Sequence, residues 1–566
     1  MRSLTRERLL PTSGTAMALA LSFIMGFAGI SPLASLPAHS DEGSSAMNST
    51  VTIAAGAING TQLSTGVLAF KGIPYATAPV GELRWKPPQQ PKPWTGVKST
   101  QRFGPPCPQP ADSRSPLFDA DTASEDCLYL NIWTPAKKAG DKLPVMVWIH
   151  GGGFISDTAS QDFYSGERLA LKDVVVVNFN YRIGPLGFLA HPLLSKESEH
   201  NVSGNYGLLD QIAALKWVKE NISAFGGDPD RVTLFGESAG GRSVAHLLVS
   251  PLADSLFHGA IMESSSTYRP IQHIREQWYG RPAMEKVGED IARQLGSAQA
   301  EDPIADMRSK SVEALFDVAK PRLPGMSVSS NDDSDNGYPF EPIADGWVIP
   351  DDPGDLFDKH KAHKVPVIVG SNADEGTLFL RKAFFMTTRR ARASIDAAYP
   401  KYGDKIAAAY ELEADDTEPK QVLNLLSGDM NCAAPMRSIA RNMVSSGNTV
   451  WLYYFSYVRN DFLGKRLGAW HGSEIRFVMN SLDNGKAKVE PRDRQMAEKI
   501  SSYWTNFAKT GNPNGPGLPQ WPKFSIASGD YLELNETVVA KQNLRKDTID
   551  LVAEIEVERR KNRRSQ

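Results

Sequence analysis

A serine lies between two glycines in the pentapeptide G-E-S-A-G at residues 236–240, directly after the apolar run at residues 232–235. The residues that follow, 242–249, have the pattern of a helix. A tight turn between a strand and a helix exposes a serine hydroxyl, and the flanking glycines leave room that larger side chains would fill. The N–H groups at the helix start favour developing negative charge. This context predicts that Ser238 is a nucleophile for acyl transfer.

Three glycines follow another apolar run, residues 145–149, in the sequence H-G-G-G-F at residues 150–154. Glycines let backbone N–H groups approach a ligand closely, and such donors can hold the oxyanion of a tetrahedral intermediate. A phosphate-binding loop is the alternative interpretation. It is disfavoured because no Lys-Ser/Thr pair follows and the chain contains no G-x-G-x-x-G motif.

The elements that must position these residues are short buried strands alternating with helices. A helix is predicted at residues 208–218, where apolar residues recur at helical spacing. Strands are predicted at residues 145–149, 174–179, 232–235, 259–262, 365–369 and 450–455. This alternation indicates a mostly parallel sheet covered on both faces, with the ligand site beyond the carboxyl ends of its strands.

Composition excludes several classes of protein. The 566 residues include 62 Lys+Arg and 65 Asp+Glu, which leaves no basic excess to bind nucleic acid. The hydrophobic share of 41% is that of a folded chain rather than a disordered one. No H-E-x-x-H motif or Cys/His cluster is present, so a metal hydrolase is disfavoured.

The amino terminus has the pattern of an export signal. An uncharged stretch at residues 16–30 is too short to span a bilayer comfortably and follows Arg2, Arg6 and Arg8. We expect a signal peptide at residues 1–40, with an uncleaved membrane anchor as the alternative. The mature protein is then periplasmic or secreted, with one catalytic domain at residues 41–556. The basic residues 557–566 are predicted to form a frayed, solvated tail.

Further motifs resemble one known family. They are F-K-G-I-P-Y-A at residues 70–76, E-D-C-L-Y-L-N at 125–131, N-Y-G-L-L-D-Q at 205–211, F-G-G-D-P at 225–229 and Y-W-T-N-F-A at 503–508. With the two glycine-rich motifs, the sequence resembles the carboxylesterase/cholinesterase family, also called type-B carboxylesterases, over residues 50–550. The resemblance implies an α/β-hydrolase fold, with a large, mostly parallel central sheet flanked by helices.

The resemblance also implies the site residues. It pairs the nucleophile Ser238 with the acid Glu375, in the D-E-G motif at residues 374–376, and the base His471, in H-G-x-E at 471–474. The implied oxyanion donors are the backbone N–H groups of Gly152, Gly153 and Ala239. Glu237 and Glu474 correspond to buried carboxylates of the family. No cofactor or metal is implied.

The chain contains three cysteines, too few for a disulfide scaffold. For an exported chain, one disulfide plus one buried thiol is the simplest interpretation. The resemblance implies a disulfide between Cys107 and Cys127 beside the entrance to the site, and leaves Cys432 as a packed thiol. It also implies a structural ion pair between Arg84 and Glu125.

Four residues are candidates for the substrate pocket: Phe154, Glu237, Leu378 and Phe379. Cholinesterases bind a quaternary ammonium group on aromatic faces. They carry a tryptophan between the cysteines of the first disulfide and an aromatic residue two positions after the D-E-G motif. Here residues 108–126 contain no tryptophan, and the second position is Leu378. These departures favour a neutral, apolar alcohol or acyl group.

The sequence therefore predicts a serine carboxylesterase that hydrolyses a small-molecule ester through an acyl-enzyme. A lipase-like member would need an apolar lid, whereas the 108–126 loop is acidic and rich in proline. A transacylase uses another alcohol in place of water and stays open as an alternative. A non-catalytic adhesion homologue is disfavoured because Ser238, Glu375 and His471 are all present. The sequence makes no prediction about the oligomeric state.

Overall fold

The computed structural model describes residues 48–110, 122–321, 340–380, 386–414, 417–485 and 487–563. The predicted signal peptide, most of the 108–126 loop and residues 564–566 lie outside these ranges. No helix within the described part of the chain has the length and apolar character needed to cross a membrane.

The described strands are β1 Thr50–Ile53, β2 Gly56–Asn59, β3 Thr61–Gln62, β4 Leu68–Pro74, β5 Val97–Ser99, β6 Tyr129–Thr134, β7 Leu143–Ile149, β8 Val175–Phe179, β9 Gly227–Glu237, β10 Gly259–Glu263, β11 Val367–Asn372, β12 Val450–Phe455, β13 Asp530–Leu534 and β14 Val539–Gln542. The described α-helices are α1 Glu167–Ala170, α2 Gly184–Phe188, α3 Pro192–Glu197, α4 Tyr206–Asn221, α5 Ala239–Val249, α6 Met284–Gln294, α7 Pro303–Ser309, α8 Val312–Ala319, α9 Pro353–Asp358, α10 Thr388–Ala398, α11 Gly403–Ala409, α12 Pro419–Gly428, α13 Ala434–Ser445, α14 Phe462–Leu467, α15 Ile475–Val478, α16 Pro491–Thr510 and α17 Lys546–Lys561.

Eleven of the described strands form the main sheet, in the order β3-β4-β6-β8-β7-β9-β10-β11-β12-β13-β14. The six strands predicted from the sequence are β7 to β12, and neighbouring members of this set pair in parallel. The antiparallel strands β3, β4 and β6 flank β8, and β14 closes the opposite edge. The expected large, mostly parallel sheet is therefore confirmed.

Side chains from both faces of the central strands are buried. On β7, Val145, Val147 and Ile149 contribute to one hydrophobic cluster, whereas Met146 and Trp148 contribute to another. Because alternate side chains of a strand point to opposite faces, the sheet must be covered on both sides. Helices α4 and α5 supply residues to the first cluster, and α16 supplies residues to the second.

The disulfide and the ion pair that the resemblance implies are both present. Cys107 and Cys127 form a disulfide with a Cα–Cα distance of 5.1 Å. Arg84 donates from Nε to Glu125 Oε2 at 2.8 Å, beside that disulfide. Cys432 is buried and unbonded to another cysteine.

The carboxyl terminus differs from the predicted frayed tail. Helix α17 continues to Lys561, and Arg560 is buried. Arg560 pairs with Asp358 at 2.6 Å, and Arg563 pairs with Asp355 at 2.6 Å. The tail prediction is wrong through residue 563 because these basic side chains have carboxylate partners in and beside α9.

The cysteine arrangement predicts the result of thiol titration. In the unfolded protein without reductant, one thiol per chain should react with Ellman's reagent, because Cys107 and Cys127 are bonded and Cys432 is free. After reduction, all three cysteines of the chain should react. Three reactive thiols before reduction would contradict the disulfide.

Candidate active site

Ser238 lies on a strained turn between β9 and α5. Its φ and ψ angles are 56° and −119°, in a region that residues with a side chain rarely adopt. Its N–H donates to the Glu263 carbonyl at the end of β10, at 3.0 Å. The turn also needs a glycine at 240, because a Cβ there would lie 2.0 Å from the carbonyl oxygen of Ile149. This strained backbone conformation places the Ser238 hydroxyl at the carboxyl edge of the sheet.

The side chains of Ser238, His471 and Glu375 form a continuous hydrogen-bonded relay. The distance from His471 Nε2 to Ser238 Oγ is 2.8 Å, and the distance from His471 Nδ1 to Glu375 Oε2 is 2.6 Å. These residues are separated along the chain by 233 and 96 positions respectively. The fold therefore brings together the three residues named from the resemblance.

Residues at the end of β11 hold this relay in place. Glu375 is fully buried, and its Oε1 accepts the Asn372 N–H at 2.7 Å. The neighbouring Asp374 accepts the Ala469 N–H at its Oδ2, at 2.9 Å, and donates its own N–H to the Ala469 carbonyl at 3.0 Å. Asp374 thus ties the loop that carries Glu375 to the loop that carries His471.

The glycine loop lies against the serine. A Cβ on Gly151 would lie 3.3 Å from the Cβ of Ser238, and Gly152, Gly153 and Phe154 all have positive φ angles, of 88°, 65° and 64°. Within the described ranges, the N–H groups of Gly152, Gly153 and Ala239 donate no hydrogen bond. Three amide donors beside a serine hydroxyl can stabilise negative charge that develops on a bound carbonyl oxygen.

Comparison with known proteins identifies the family of the chain. Residues 47–552 match the model of the carboxylesterase family. The chain belongs to the carboxylesterase family. Its relatives include the fumonisin B1 esterase of Sphingopyxis macrogoltabida, 38% identical over 83% of both chains, and the human cocaine esterase, 35% identical over 83% of this chain and 84% of that protein.

Solved structures show the same fold. The Geobacillus stearothermophilus carboxylesterase EST55 superposes with a TM-score of 0.75 at 32% identity, covering 89% of this chain and 100% of that one. A PNB esterase gives a TM-score of 0.75 at 32% identity, over 89% and 99% of the two chains. The protein is thus a carboxylic ester hydrolase with an α/β-hydrolase fold.

Further buried carboxyl groups surround the imidazole of this carboxylesterase. Glu237 Oε1 lies 3.3 Å from His471 Nε2, and Glu474 accepts a hydrogen bond from the side chain of Asn372. Burial raises the pKa of Glu237 to about 8 and that of Glu474 to about 7. Burial lowers the pKa of His471, but the nearby Glu237 and Glu375 carboxylates outweigh it and raise that pKa overall.

The predicted pocket residues take different positions. The ring of Phe379 lies 5.3 Å from that of His471, with Leu378 next to it in the chain and partly buried. Glu237 lies beside His471, as described above. Phe154 is fully buried, and its ring lies 5.4 Å from that of Phe188.

Sequence reasoning assigned no role at the site to three residues that lie there. Asn372 and Asp374 come at the carboxyl end of β11, and the rule that ligands bind at strand ends points to such residues. Cys432 lies in a π-helical turn, Asp429–Ala433, which no pattern in the sequence predicts.

Cys432 also belongs to the one group of described residues, with Glu375 and His471, whose ligand atoms lie close enough to hold a metal, within 4.8 Å. Burial raises the pKa of the Cys432 thiol, and Glu375 and His471 already bond each other, so the group fits an ion poorly.

The turn at Ser238 predicts the effect of adding one methyl group. Gly240→Ala should lower the free energy of unfolding by at least about 2 kcal/mol and abolish esterase activity, because the new Cβ meets backbone that cannot move freely. Chemical denaturation and p-nitrophenyl butyrate turnover measure both. Gly485→Ala is the control, because its nearest neighbour is a flexible arginine side chain 3.4 Å away. Equal stability of the two variants would contradict the close packing at residue 240.

Proposed function

We propose that this carboxylesterase cleaves esters through a covalent acyl-enzyme on Ser238, with His471 as the base and Glu375 as the supporting acid. The observation that carries the proposal is the unbroken relay from the Ser238 hydroxyl through the imidazole to Glu375. A serine hydroxyl is a weak nucleophile until a neighbouring base takes its proton.

Each residue has one task in the reaction. His471 Nε2 takes the hydroxyl proton as Ser238 Oγ attacks the ester carbonyl, and it returns that proton to the leaving alcohol. Glu375 accepts the Nδ1 hydrogen and stabilises the imidazolium. The N–H groups of Gly152, Gly153 and Ala239 hold the oxyanion. Water activated by the same imidazole then releases the acid.

We propose a neutral, apolar alcohol for the leaving group. The imidazole that protonates the alcohol has Phe379 beside it, with Leu378 adjacent in the chain. These side chains offer apolar surface, and leucine provides no π-face for a quaternary ammonium group. A panel of acetate esters of graded alcohol size, with choline included, tests this preference. Faster turnover of acetylcholine than of the neutral esters would contradict it.

We also propose that the protein is exported. The disulfide between Cys107 and Cys127 supports this proposal, because such bonds persist in oxidising compartments. Amino-terminal sequencing of the protein purified from the periplasm or medium tests it. A protein that starts near residue 41 is expected, and an intact amino terminus in the cytoplasm would contradict the proposal.

Loss of the serine hydroxyl should stop the reaction. Ser238→Ala is expected to lower kcat by at least about 10⁴-fold, because no other group can form the acyl-enzyme. Wild-type protein should bind one organophosphate per chain, and the variant none, as measured by mass spectrometry. Ser223→Ala removes an exposed serine hydroxyl and serves as the control. An acylated or active Ser238→Ala variant would contradict the assignment.

The pH dependence of kcat/KM should depend on the charged groups near His471. The base must be neutral to act, so activity rises with pH through a pKa that Glu237 helps to raise. Glu237→Gln should therefore move the acidic limb of the kcat/KM profile to lower pH, by about one unit. Glu220→Gln changes an exposed glutamate and should leave the limb in place. A limb that stays fixed or moves to higher pH in Glu237→Gln would contradict this role.

A further inference from the structure

Arg242, one helical turn after Ser238, is the most deeply buried of three arginines that act on one carboxylate. Arg242, on α5, is only 3% exposed and donates from Nη1 to Glu341 Oε2 at 2.6 Å. Its Nε and Nη2 atoms are also buried, and neither has a hydrogen-bond partner among the described residues. Burying guanidinium N–H groups without hydrogen-bond partners costs free energy. A ligand that accepts hydrogen bonds from these groups would recover part of that cost.

Positive charge exceeds negative charge around Glu341. Arg281 Nη1 lies 3.7 Å from Glu341 Oε1, and Arg269 is close enough to act electrostatically on the same carboxylate. Together Arg242, Arg269 and Arg281 hold the pKa of Glu341 at about 2 although burial opposes this. One carboxylate therefore faces three guanidinium groups.

The neighbouring charges of the described residues do not balance this excess. Arg269 is partly buried and has no ion pair within the described ranges, and burial with the nearby Arg281 and Arg242 lowers its pKa to about 9. Glu556 and Arg559 of α17 also act on Arg269, but these two lie 3.7 Å from each other and compensate in charge. Among the residues that the structure describes, Arg242 and Arg269 therefore have less negative charge near them than positive charge.

The Arg242 guanidinium lies near the glycine loop, away from the residues beside the leaving group. The Arg242 guanidinium lies 5.4 Å from the ring of Phe154, which directly follows the oxyanion glycines. The backbone N–H of Arg242 donates to the Ser238 carbonyl at 2.9 Å, so the two residues are separated by about 6 Å along the axis of α5. Phe379 and His471 occupy the alcohol side. A charge near Arg242 therefore belongs to the acyl part of the substrate.

We propose that Arg242 and Arg269 form an anion subsite for the acyl group, so that the preferred esters are half-esters of dicarboxylic acids. Guanidinium groups bind carboxylates through paired, charge-assisted hydrogen bonds. The inference rests on the proposed acyl-enzyme at Ser238. The sequence favours a neutral, apolar alcohol or acyl group. Here the acyl group carries a free carboxylate instead, and the alcohol stays neutral and apolar.

The first test compares two esters of equal shape and different charge. Monoethyl glutarate carries a free carboxylate, and ethyl glutaramate carries a neutral amide in its place. Wild-type kcat/KM at low salt should favour monoethyl glutarate by at least about tenfold, the value of one charge-assisted hydrogen bond. Added sodium chloride should reduce this preference. Equal rates, or a preference for the amide, would overturn the proposal.

Variants then locate the charge that is responsible. Arg269→Met removes a cation without breaking an ion pair among the described residues, and the ratio of kcat/KM for the two esters should fall by about tenfold. Arg275→Met removes an exposed arginine that pairs with Glu285, and its ratio should equal that of the wild type. An unchanged ratio in Arg269→Met would overturn the role of this residue.

Arg242→Met leaves Glu341 without its closest partner, so the double variant Arg242→Met/Glu341→Gln is the better probe of that position. Its ester ratio should also fall. Free glutarate should inhibit the wild type more strongly than valerate does, whether or not either variant folds. Equal inhibition by the two acids would overturn the proposal.

The outcomes separate this inference from the proposed function. If both esters are hydrolysed at similar rates and Ser238→Ala stops both reactions, the anion subsite fails and the acyl-enzyme proposal stands. If Ser238→Ala hydrolyses either ester at the wild-type rate, the acyl-enzyme proposal itself fails.

Discussion

The hydrogen bond between His471 and Glu375 joins two loops that the sheet does not bring into register by itself. One loop follows β11, and the other follows β12 after a further helix, α14. Asp374 fixes their separation through two backbone hydrogen bonds to Ala469. The imidazole can reach Ser238 only if this spacing is kept, so the positions of all reacting atoms depend on it. The strained turn at Ser238 then sets the third point of the relay.

The site is divided electrostatically. Buried carboxyl groups, Glu237 and Glu474, lie on the side of His471, whereas the Arg242 guanidinium lies beside Phe154, which follows the glycine loop. Burial raises the pKa of both carboxyl groups, and the charge of Glu237 in turn raises the pKa of His471. The arginine side keeps its charge because guanidinium groups remain protonated. An ester bound across Ser238 therefore meets unlike surroundings at its two ends.

The sequence predicts the centre of the fold better than its margins. Strands β7 to β12 are continuous apolar runs because both faces of the sheet are covered, and such runs are visible without an alignment. The edge strands β3 and β14 are short and fully exposed, and β13 beside β14 has partly exposed positions, so the apolar pattern is weak there. The tail prediction failed because a run of basic residues does not reveal carboxylate partners two hundred positions earlier.

The site shows the same limit. Ser238 could be predicted from its residues, because a glycine-flanked serine between a strand and a helix has a local signature. Glu375 and His471 came only from the family resemblance, since single carboxylates and histidines are common. Asn372, Asp374 and Cys432 act through contacts that form only in the folded chain.

The pairing of Arg560 and Arg563 with carboxylates of α9 has a consequence for how the molecule unfolds. These ion pairs join residues 202 and 208 positions apart, so α17 can separate from α9 only when both arginines lose their partners. A chain without these two arginines would contain every reacting side chain but would lack this contact. We expect proteases to digest it faster, while each surviving molecule keeps its chemistry.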